Sequence, residues 1–298
     1  MQNLQVQVSD KSTGGSRQHS VVLDERELKR VSDFIGSEVG IQLPMTKRTL
    51  VESRLSKRLR VLGFTDFKSY LDYTLKSIDG ALEKLQLIDV LTTNKTSFYR
   101  EPDHFEYLVN YAIPAITKSS NGVRREINVW CAGCSTGEEA YTLSIELNRI
   151  EGAGEKVLFN ILATDISHSC LSKASQGVYT DRQAESIPEE LRKKYLLRSR
   201  NANEALVQMG PKLRHRIKFK NLNLMDTRFD APKNMDIIFC RNVMIYFNNQ
   251  LREELVAKFE SHLAKGGYLF VGHSESLNGI KTTLKQVAPM VYKKSSEK

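Results

Sequence analysis

The chain has 298 residues, which is long enough for about two domains. Of these residues 40% are hydrophobic and 27% are charged, a composition typical of globular proteins. No run approaches the ~20 apolar residues of a membrane span, so membrane insertion is excluded and we expect a cytoplasmic protein. The formal net charge of +9 favours an acidic partner, although charge alone leaves open nucleic acid, anionic lipid or an acidic protein surface.

The polar first 22 residues are predicted to be a disordered tail, because they lack the apolar centre of a signal peptide. Four cysteines lie in or beside apolar runs: Cys131, Cys134, Cys170 and Cys240. We expect them to be buried, reduced thiols. The first two have C-x-x-C spacing, but no second cysteine pair or histidine pair accompanies them, so no metal is expected.

Residues 23–92 are predicted to form an N-terminal helical domain. Asp24 followed by Glu27 matches a capping box at the start of the first helix. A second helix is predicted over Thr46–Leu62, and its apolar stripe consists of Val51, Leu55, Leu59 and Leu62. The remaining two helices are predicted over Phe67–Leu75 and Ala81–Leu91.

Basic residues are concentrated on the second predicted helix. Between residues 40 and 70, seven Lys and Arg stand against two Asp and Glu, a net charge of 7 − 2 = +5. One interpretation is a solvated basic face, and the other is a docking surface for an acidic partner. The candidate docking residues are Lys47, Arg54, Lys57 and Arg58. Because no aromatic residues alternate with them, we do not expect them to bind single-stranded nucleic acid by base stacking.

The segment Leu91–Pro102 has no amphipathic period and is predicted to be irregular, connecting the helical domain to a second domain over residues 93–298. An ordinary linker would explain it. Alternatively, Asn94, Thr96 and Arg100 point into a ligand pocket, because loops carry binding residues disproportionately often.

The stretch Ile127–Asp165 reads as strand, glycine turn, helix and second strand. The turn, Gly133–Gly137, feeds a helix N-terminus and gives a ligand room to approach the backbone closely. Asp165 ends the following strand, where an acidic side chain can bind ribose hydroxyls. This arrangement predicts a pocket for a nucleoside cofactor.

The same turn also fits G-x-S-x-G, the nucleophile elbow of α/β-hydrolases, with Asp236 and His273 as nominal triad partners. We disfavour that alternative, because Asp236 opens a strand and a long helical region precedes the turn.

The acids Glu138 and Glu139 begin the next helix. One interpretation is that the two carboxylates only interact favourably with the positive end of the helix dipole. The other is that they repel a pyrophosphate, which would favour a cationic cofactor such as S-adenosylmethionine.

Strands and helices alternate after residue 127, which predicts a mostly parallel sheet flanked by helices. Residues 180–215 interrupt the alternation and are predicted to form a small antiparallel β insert containing a helix over Pro188–Leu197. A later helix, Asn249–Ala264, is predicted to stop at Gly266–Gly267, before a strand over Tyr268–Gly272. Loops after the predicted strands carry Asn223, Leu224, Arg241, Asn242 and Val243, which we expect to complete the pocket.

Four motifs together resemble the chemotaxis receptor methyltransferases, the CheR family. They are LTTNKTSFYRE at residues 91–101, STGEEAY at 135–141, IFCRNVMIYF at 238–247 and GHSES at 272–276. The resemblance extends over about Asp24–Lys293. It implies an all-α N-terminal domain that docks on receptors, followed by a Rossmann-like methyltransferase domain with a small antiparallel β insert.

The resemblance further implies transfer of methyl from S-adenosylmethionine to glutamate side chains of chemoreceptors, leaving S-adenosylhomocysteine. Carried over from the family, the cofactor contacts are Asn94, Thr96, Arg100, Glu138 or Glu139, Asp165, Asn223, Leu224, Arg241, Asn242 and Val243. Arg100 and Tyr246 are the catalytic candidates beside the methyl group. The basic helix is then the surface that docks on the acidic signalling helices of the receptor.

Some family members bind a peptide tether at the receptor C-terminus through a glycine-rich turn of the insert. The corresponding turn here, Ser199–Glu204, has no glycine, so we expect tether-independent action by a monomer.

Two alternatives stay open. The first is that the protein is an RNA or DNA methyltransferase, although Cys240–Val243 differs from the Asn/Asp-Pro-Pro-aromatic run of amino-group methyltransferases. The second is that it is a non-catalytic module that only binds the cofactor.

Overall fold

The computed structural model describes residues 22–118, 125–152, 157–201 and 204–296. The predicted disordered tail therefore lies outside the described residues, apart from Val22. Every helix in the described ranges is too short or too polar to cross a lipid bilayer.

The N-terminal domain is a helical layer with its own hydrophobic core. Its helices are α1 (Glu25–Val39), α2 (Arg48–Leu62), α3 (Phe67–Lys76) and α4 (Ala81–Leu91). Asp24 and Glu27 form the predicted capping box, in which each side chain accepts the backbone N–H of the other residue. Leu28, Val31 and Ile35 of α1 are fully buried against the other helices. All four helices thus present one apolar side to a common core.

Helix α2 ends at Leu62 as predicted, but it differs from the prediction at its start and in the burial of Leu62. A 3₁₀ turn over Met45–Lys47 precedes it, so the α-helix begins at Arg48. Val51, Leu55 and Leu59 are buried as predicted, whereas the prediction for Leu62 is wrong, because 41% of that residue is exposed. The helix runs one turn beyond the core on which it packs, and Gly63 then ends it in a left-handed conformation with φ 76°.

The segment after α4 is irregular, as the missing periodicity predicted. Helices resume at α5 (Pro102–Tyr107), pass through a π-helical turn over Leu108–Ala112 and end with α6 (Ile113–Lys118). Phe105, Leu108 and Ile113 are buried against the central sheet. The irregular segment is therefore held between two rigid elements.

The second domain is built on a seven-stranded sheet in the order β6-β2-β1-β7-β8-β10-β9. Its strands are β1 (Arg125–Ala132), β2 (Val157–Asp165), β6 (Ile217–Asn221), β7 (Met235–Cys240), β8 (Leu263–Val271), β9 (Lys285–Ala288) and β10 (Val291–Lys293). The first five strands pair in parallel, and β10 and β9 add an antiparallel edge. The mostly parallel sheet is confirmed.

Helices cover both faces of this sheet, namely α7 (Glu138–Gly152), α8 (His168–Gln176) and α12 (Asn249–His262). Side chains alternate along each strand, so Val129 packs with the cluster that contains α7, while Trp130 packs with Phe259 of α12. The four cysteines are free and buried, as expected. Parallel strands covered on both faces leave the loops at their carboxyl ends as the open edge.

The predicted stop at Gly266–Gly267 is wrong. Helix α12 ends at His262 and β8 begins at once with Leu263, so both glycines lie inside the strand. Gly266 has φ 75°, and a Cβ on Gly267 would lie 3.0 Å from the carbonyl oxygens of Ala264 and Asp236. The pairing of β7 with β8 shifts register here, so the glycines serve a strand irregularity.

A separate three-stranded antiparallel sheet forms the insert, in the order β3-β5-β4. Its strands are β3 (Val178–Thr180), β4 (Leu196–Arg198) and β5 (Leu206–Met209), and its helices are α9 (Asp181–Ala184), α10 (Glu189–Tyr195) and α11 (Pro211–Arg214). The antiparallel insert is confirmed, although its first strand starts two residues before the predicted boundary. Part of the turn over Ser199–Glu204, residues 202–203, lies outside the described residues.

Candidate active site

A cleft of about 900 Å³, open to solvent, lies at the carboxyl ends of β1, β2 and β7. With the exception of Glu138, all predicted cofactor-binding and catalytic residues line it: Asn94, Thr96, Arg100, Glu139, Asp165, Asn223, Leu224, Arg241, Asn242, Val243 and Tyr246. Three segments far apart in sequence therefore meet at one place.

The two adjacent acids at the start of α7 have different surroundings. Glu138 is 3% exposed, and its Oε2 accepts a hydrogen bond of 2.6 Å from the hydroxyl of Thr136. Burial raises the pKa of the Glu138 carboxyl. Glu139, by contrast, lines the cleft. Of the two residues that the sequence could not separate, Glu139 is the one positioned to meet a ligand.

Arg241 joins the walls of the cleft with one buried guanidinium, 5% exposed. Its Nε donates to Glu139 Oε2 at 2.7 Å, and its Nη2 donates to the carbonyl of Arg100 at 2.6 Å. The third nitrogen, Nη1, donates to His104 Nδ1 at 2.9 Å. Since all three nitrogens have protein partners, this side chain shapes the cleft rather than offering a free charge to a ligand.

His104 and its neighbours form a cluster that sequence spacing did not predict. Ligand atoms of Glu101, His104 and His273 lie within 4.8 Å of one another. Burial and the charge of Arg241 lower the pKa of His104 to about 4, so the ring stays neutral and accepts from Arg241. Arg241 Nη1 is also 3.5 Å from Glu101 Oε2. The positively charged guanidinium of Arg241 therefore already lies against two of the three groups, His104 and Glu101.

Asp165 fixes the glycine turn. Its Oδ2 accepts the backbone N–H of Ser135 at 2.7 Å, and its Oδ1 accepts that of Ser167 at 2.9 Å. Burial raises the pKa of the carboxyl, while these two hydrogen bonds oppose the shift. A Cβ on Gly133, where φ is 80°, would lie 2.5 Å from Val243 Cγ2. The turn therefore needs glycine for both its backbone conformation and its packing.

A hydrolase triad is not assembled. Ser135 has φ 49°, and its hydroxyl donates to the carbonyl of Asn94 at 3.0 Å. Asp236 lies at the opposite end of the sheet, near the start of β7, and pairs with Arg125 at 2.5 Å. Exposed His273 lies 3.1 Å from Asp103. Ser135 is therefore a turn residue and not a nucleophile, in agreement with the sequence analysis, which disfavoured the hydrolase alternative.

Glu275 organises the loop after β7, and the sequence reasoning assigned it no role. Its Oε2 accepts the backbone N–H groups of Gly272 and Asn242 at 2.7 and 2.6 Å, and its Oε1 accepts that of Ile245 at 3.2 Å. The residue is 1% exposed. Burial raises its pKa and these hydrogen bonds lower it. Its place in the GHSES motif was the available signal.

Backbone strain is concentrated around the cleft. Tyr99, Glu101, Ser135 and Asn242 all have positive φ, between 49° and 60°. Tyr99 and Glu101 flank Arg100, whose own carbonyl is held by Arg241. Arg100 Nη1 donates to the carbonyl of Lys95 at 2.9 Å. Such strain persists where the surroundings over-determine it, as they do at binding sites.

The N-terminal domain contributes to the same cleft. Val39 and Ile41 line it. Asn223 Nδ2 donates to the carbonyl of Glu38 at 2.7 Å, and the N–H of Gln42 donates to the carbonyl of Tyr246 at 3.0 Å. Both domains therefore wall the candidate site.

The four predicted docking residues divide into two pairs. Lys47 and Lys57 are exposed. Arg54 Nη1 donates to the last carbonyls of α4, those of Val90, Leu91 and Thr92, at 2.9–3.1 Å. Arg58 makes a bidentate pair with buried Glu83, with an Nε–Oε1 distance of 2.9 Å. The expectation that all four side chains face a partner therefore needs correction, because the two arginines join α2 to α4.

Known proteins similar to this chain identify its family. Residues 26–92 match the CheR methyltransferase all-alpha domain, and residues 94–292 match the CheR methyltransferase SAM binding domain. A chemotaxis protein methyltransferase of Borreliella burgdorferi is 40% identical over 278 residues, which are 93% of this chain and 96% of the relative. Those of Salmonella typhimurium and Escherichia coli are 33% and 34% identical and also align over 93% of both chains. The chain belongs to the CheR methyltransferase family.

Proposed function

We propose that this protein transfers a methyl group from S-adenosylmethionine to glutamate side chains of chemotaxis receptors, forming glutamyl methyl esters. The observation that carries the proposal is the meeting of Asn94–Arg100, Glu139, Asp165 and Arg241–Tyr246 in one cleft. The names of the relatives, chemotaxis protein methyltransferases, support the same activity.

The residues of the cleft fit the cofactor. In this proposal Asp165, at the end of β2, binds the ribose hydroxyls, and Leu222, Leu224 and Phe247, which also line the cleft, contact the purine. Glu139 also lines the cleft, where its carboxylate is paired with the Arg241 guanidinium. When bound, S-adenosylmethionine supplies an electrophilic methyl group and is left as S-adenosylhomocysteine.

The acceptor needs positioning more than activation. A glutamate side chain, with a reference pKa of about 4.3, is already an anionic nucleophile near neutral pH, so a general base is not required. Arg100 and Tyr246 line the cleft from opposite segments. In this proposal Arg100 holds the incoming carboxylate and Tyr246 orients it by hydrogen bonding for attack on the methyl group.

A labelling experiment tests the reaction. The protein is incubated with methyl-labelled cofactor and candidate receptor signalling domains, and the labelled product is treated with base. Glutamyl methyl esters release methanol under these conditions, which is the expected result. A base-stable label on nucleic acid or on an amino group would contradict the proposal, and so would cofactor binding without methyl transfer to any receptor domain.

A further inference from the structure

Four large aliphatic residues are exposed at one end of the N-terminal domain. Val61 and Leu62, in the last turn of α2, are 72% and 41% exposed. Ile78 and Leu82, just before and just inside α4, are 94% and 78% exposed. We call these four residues the helix-end patch. Large exposed aliphatic residues that group together mark interaction sites more often than isolated ones do.

The contacts between α2 and α4 bring the two halves of the patch together. Arg58 pairs with Glu83 near the start of α4, and Arg54 binds the carbonyls at its end, so the two helices are antiparallel. Val61 and Leu62 follow Arg58 by three and four residues and therefore lie one turn further along the same side of α2. Leu82 precedes Glu83 directly, and Ile78 lies about one turn before it. The last turn of α2 is thus beside the start of α4.

Positive charge borders the patch. Lys57 and Arg60 are exposed within one turn of Val61. Asp79 is an exposed acid beside Ile78. An apolar centre with a basic margin complements an amphipathic helix whose apolar stripe is flanked by carboxylates. Nucleic acid would use the basic margin but leave the four aliphatic side chains in water.

We propose that the helix-end patch is the apolar anchor on which a glutamate-bearing signalling helix of the receptor docks, while Lys57 and Arg60 meet its carboxylates. This inference rests on the proposed function and adds the surface that supplies the affinity. Salt-screened charges on exposed lysine and arginine contribute to the association rate and register, whereas desolvated aliphatic side chains slow dissociation.

The double variant Val61→Ser/Leu82→Ser tests the anchor. We expect the KM for a receptor signalling domain to rise at least about tenfold, since truncated anchors dominate interface energetics. The turnover number at saturating receptor and the dissociation constant for the cofactor, measured by calorimetry, should stay within about twofold of wild type. Intact cofactor binding also shows that the variant is folded. Leu197→Ser, at an exposed leucine of the insert, is the matched control and should leave the receptor KM unchanged.

An unchanged receptor KM in the double variant would overturn the inference. A second copy of the chain as the occupant would also overturn it, and would appear in sedimentation as an oligomer lost in the double variant. Failure of the proposed function is separately visible, because wild-type protein would then methylate no receptor domain. In that case calorimetry with the receptor signalling domain still decides whether the patch binds it.

Discussion

Two arginines of the cleft differ in how many partners they have inside the protein. Arg241 uses all three nitrogens on protein groups, whereas Arg100 makes one hydrogen bond, from Nη1 to the carbonyl of Lys95, among the described residues. Arg100 therefore keeps donors directed at the cleft. In Arg100→Ala we expect turnover at saturating cofactor to fall about 100-fold, the scale of a lost transition-state contact. Single-turnover methylation measures it, with exposed Arg228→Ala as the control. Full turnover in Arg100→Ala would rule out the catalytic role.

Glu275 acts through the backbone that it holds. A carboxylate only accepts hydrogen bonds, and here it accepts three, two from the loop after β7 and one from Gly272, which follows β8. Glu275→Gln turns an NH₂ group toward at least one of those N–H groups, so we expect the KM for the cofactor to rise about tenfold. Steady-state kinetics check this, and exposed Glu254→Gln should behave like wild type. Equal KM values in the two variants would show that the loop keeps its shape without the carboxylate.

His104 makes stability depend on pH. Its pKa is lowered to about 4 in the folded protein, below the ordinary value of 6.5, so the unfolded chain binds the proton first on acidification. The free energy of unfolding should therefore fall between about pH 6.5 and 4, by an amount on the order of 3 kcal/mol for this group. His104→Asn retains an acceptor for Arg241 without titrating in this range. Urea unfolding from pH 4 to 7 should show a flatter profile for His104→Asn, and identical slopes would contradict the assignment.

At the scale of elements, the turn from β1 to α7 determines the width of the cleft. Gly133→Ala introduces a Cβ 2.5 Å from Val243 Cγ2 at a φ of 80°, so the loop after β7 must move. We expect the dissociation constant for the cofactor to rise more than about tenfold. Calorimetry measures it, and Gly63→Ala is a useful control, because that glycine also has positive φ but an added Cβ would meet open space. Equal losses in the two variants would attribute the effect to general destabilisation.

Periodicity predicted the elements where one face is buried, and it failed where the chain leaves the core. The strand predicted to end at Asp165 was found as β2, which ends at Asp165 and is buried along most of its length. Leu62 was wrongly assigned to the core, since spacing cannot tell where a helix outruns its partner. Gly266–Gly267 read as a helix stop although the pair serves a strand irregularity, and strand register is a property of two segments.

At the scale of the whole molecule, the candidate site could be predicted as a set of residues but not as a network. Strand ends and motif resemblance named eleven residues that line the cleft, but they did not name Val39 and Ile41 of the N-terminal domain. The bonds of Arg241 to Arg100, His104 and Glu139 join positions 102–141 residues apart, and no local pattern encodes them. For the same reason the sequence predicted Arg54 and Arg58 as docking residues, whereas in the structure both side chains bind groups of α4.

Charge reversal on α2 distinguishes architecture from docking. Arg58→Glu sets two carboxylates together at buried Glu83, so we expect a loss of roughly 3 kcal/mol in stability. Lys57→Glu lies on the exposed side and should leave stability within about 0.5 kcal/mol while raising the KM for the receptor. Thermal unfolding and receptor titration separate these effects. Similar melting temperatures for both variants would show that the Arg58–Glu83 pair does not support the domain.

The seam between the two domains has an energetic consequence. Val39 and Ile41 line the cleft, and Glu38 and Gln42 bind the opposite wall, so any ligand held there touches both halves of the chain. Its binding free energy is then added to the association of the halves. Linkage makes the effect reciprocal, because whatever tightens the N-terminal domain against the sheet raises the affinity of the cleft by the same factor. If a substrate docked on the outside of that domain tightens it against the sheet, that substrate and a ligand in the cleft will bind cooperatively.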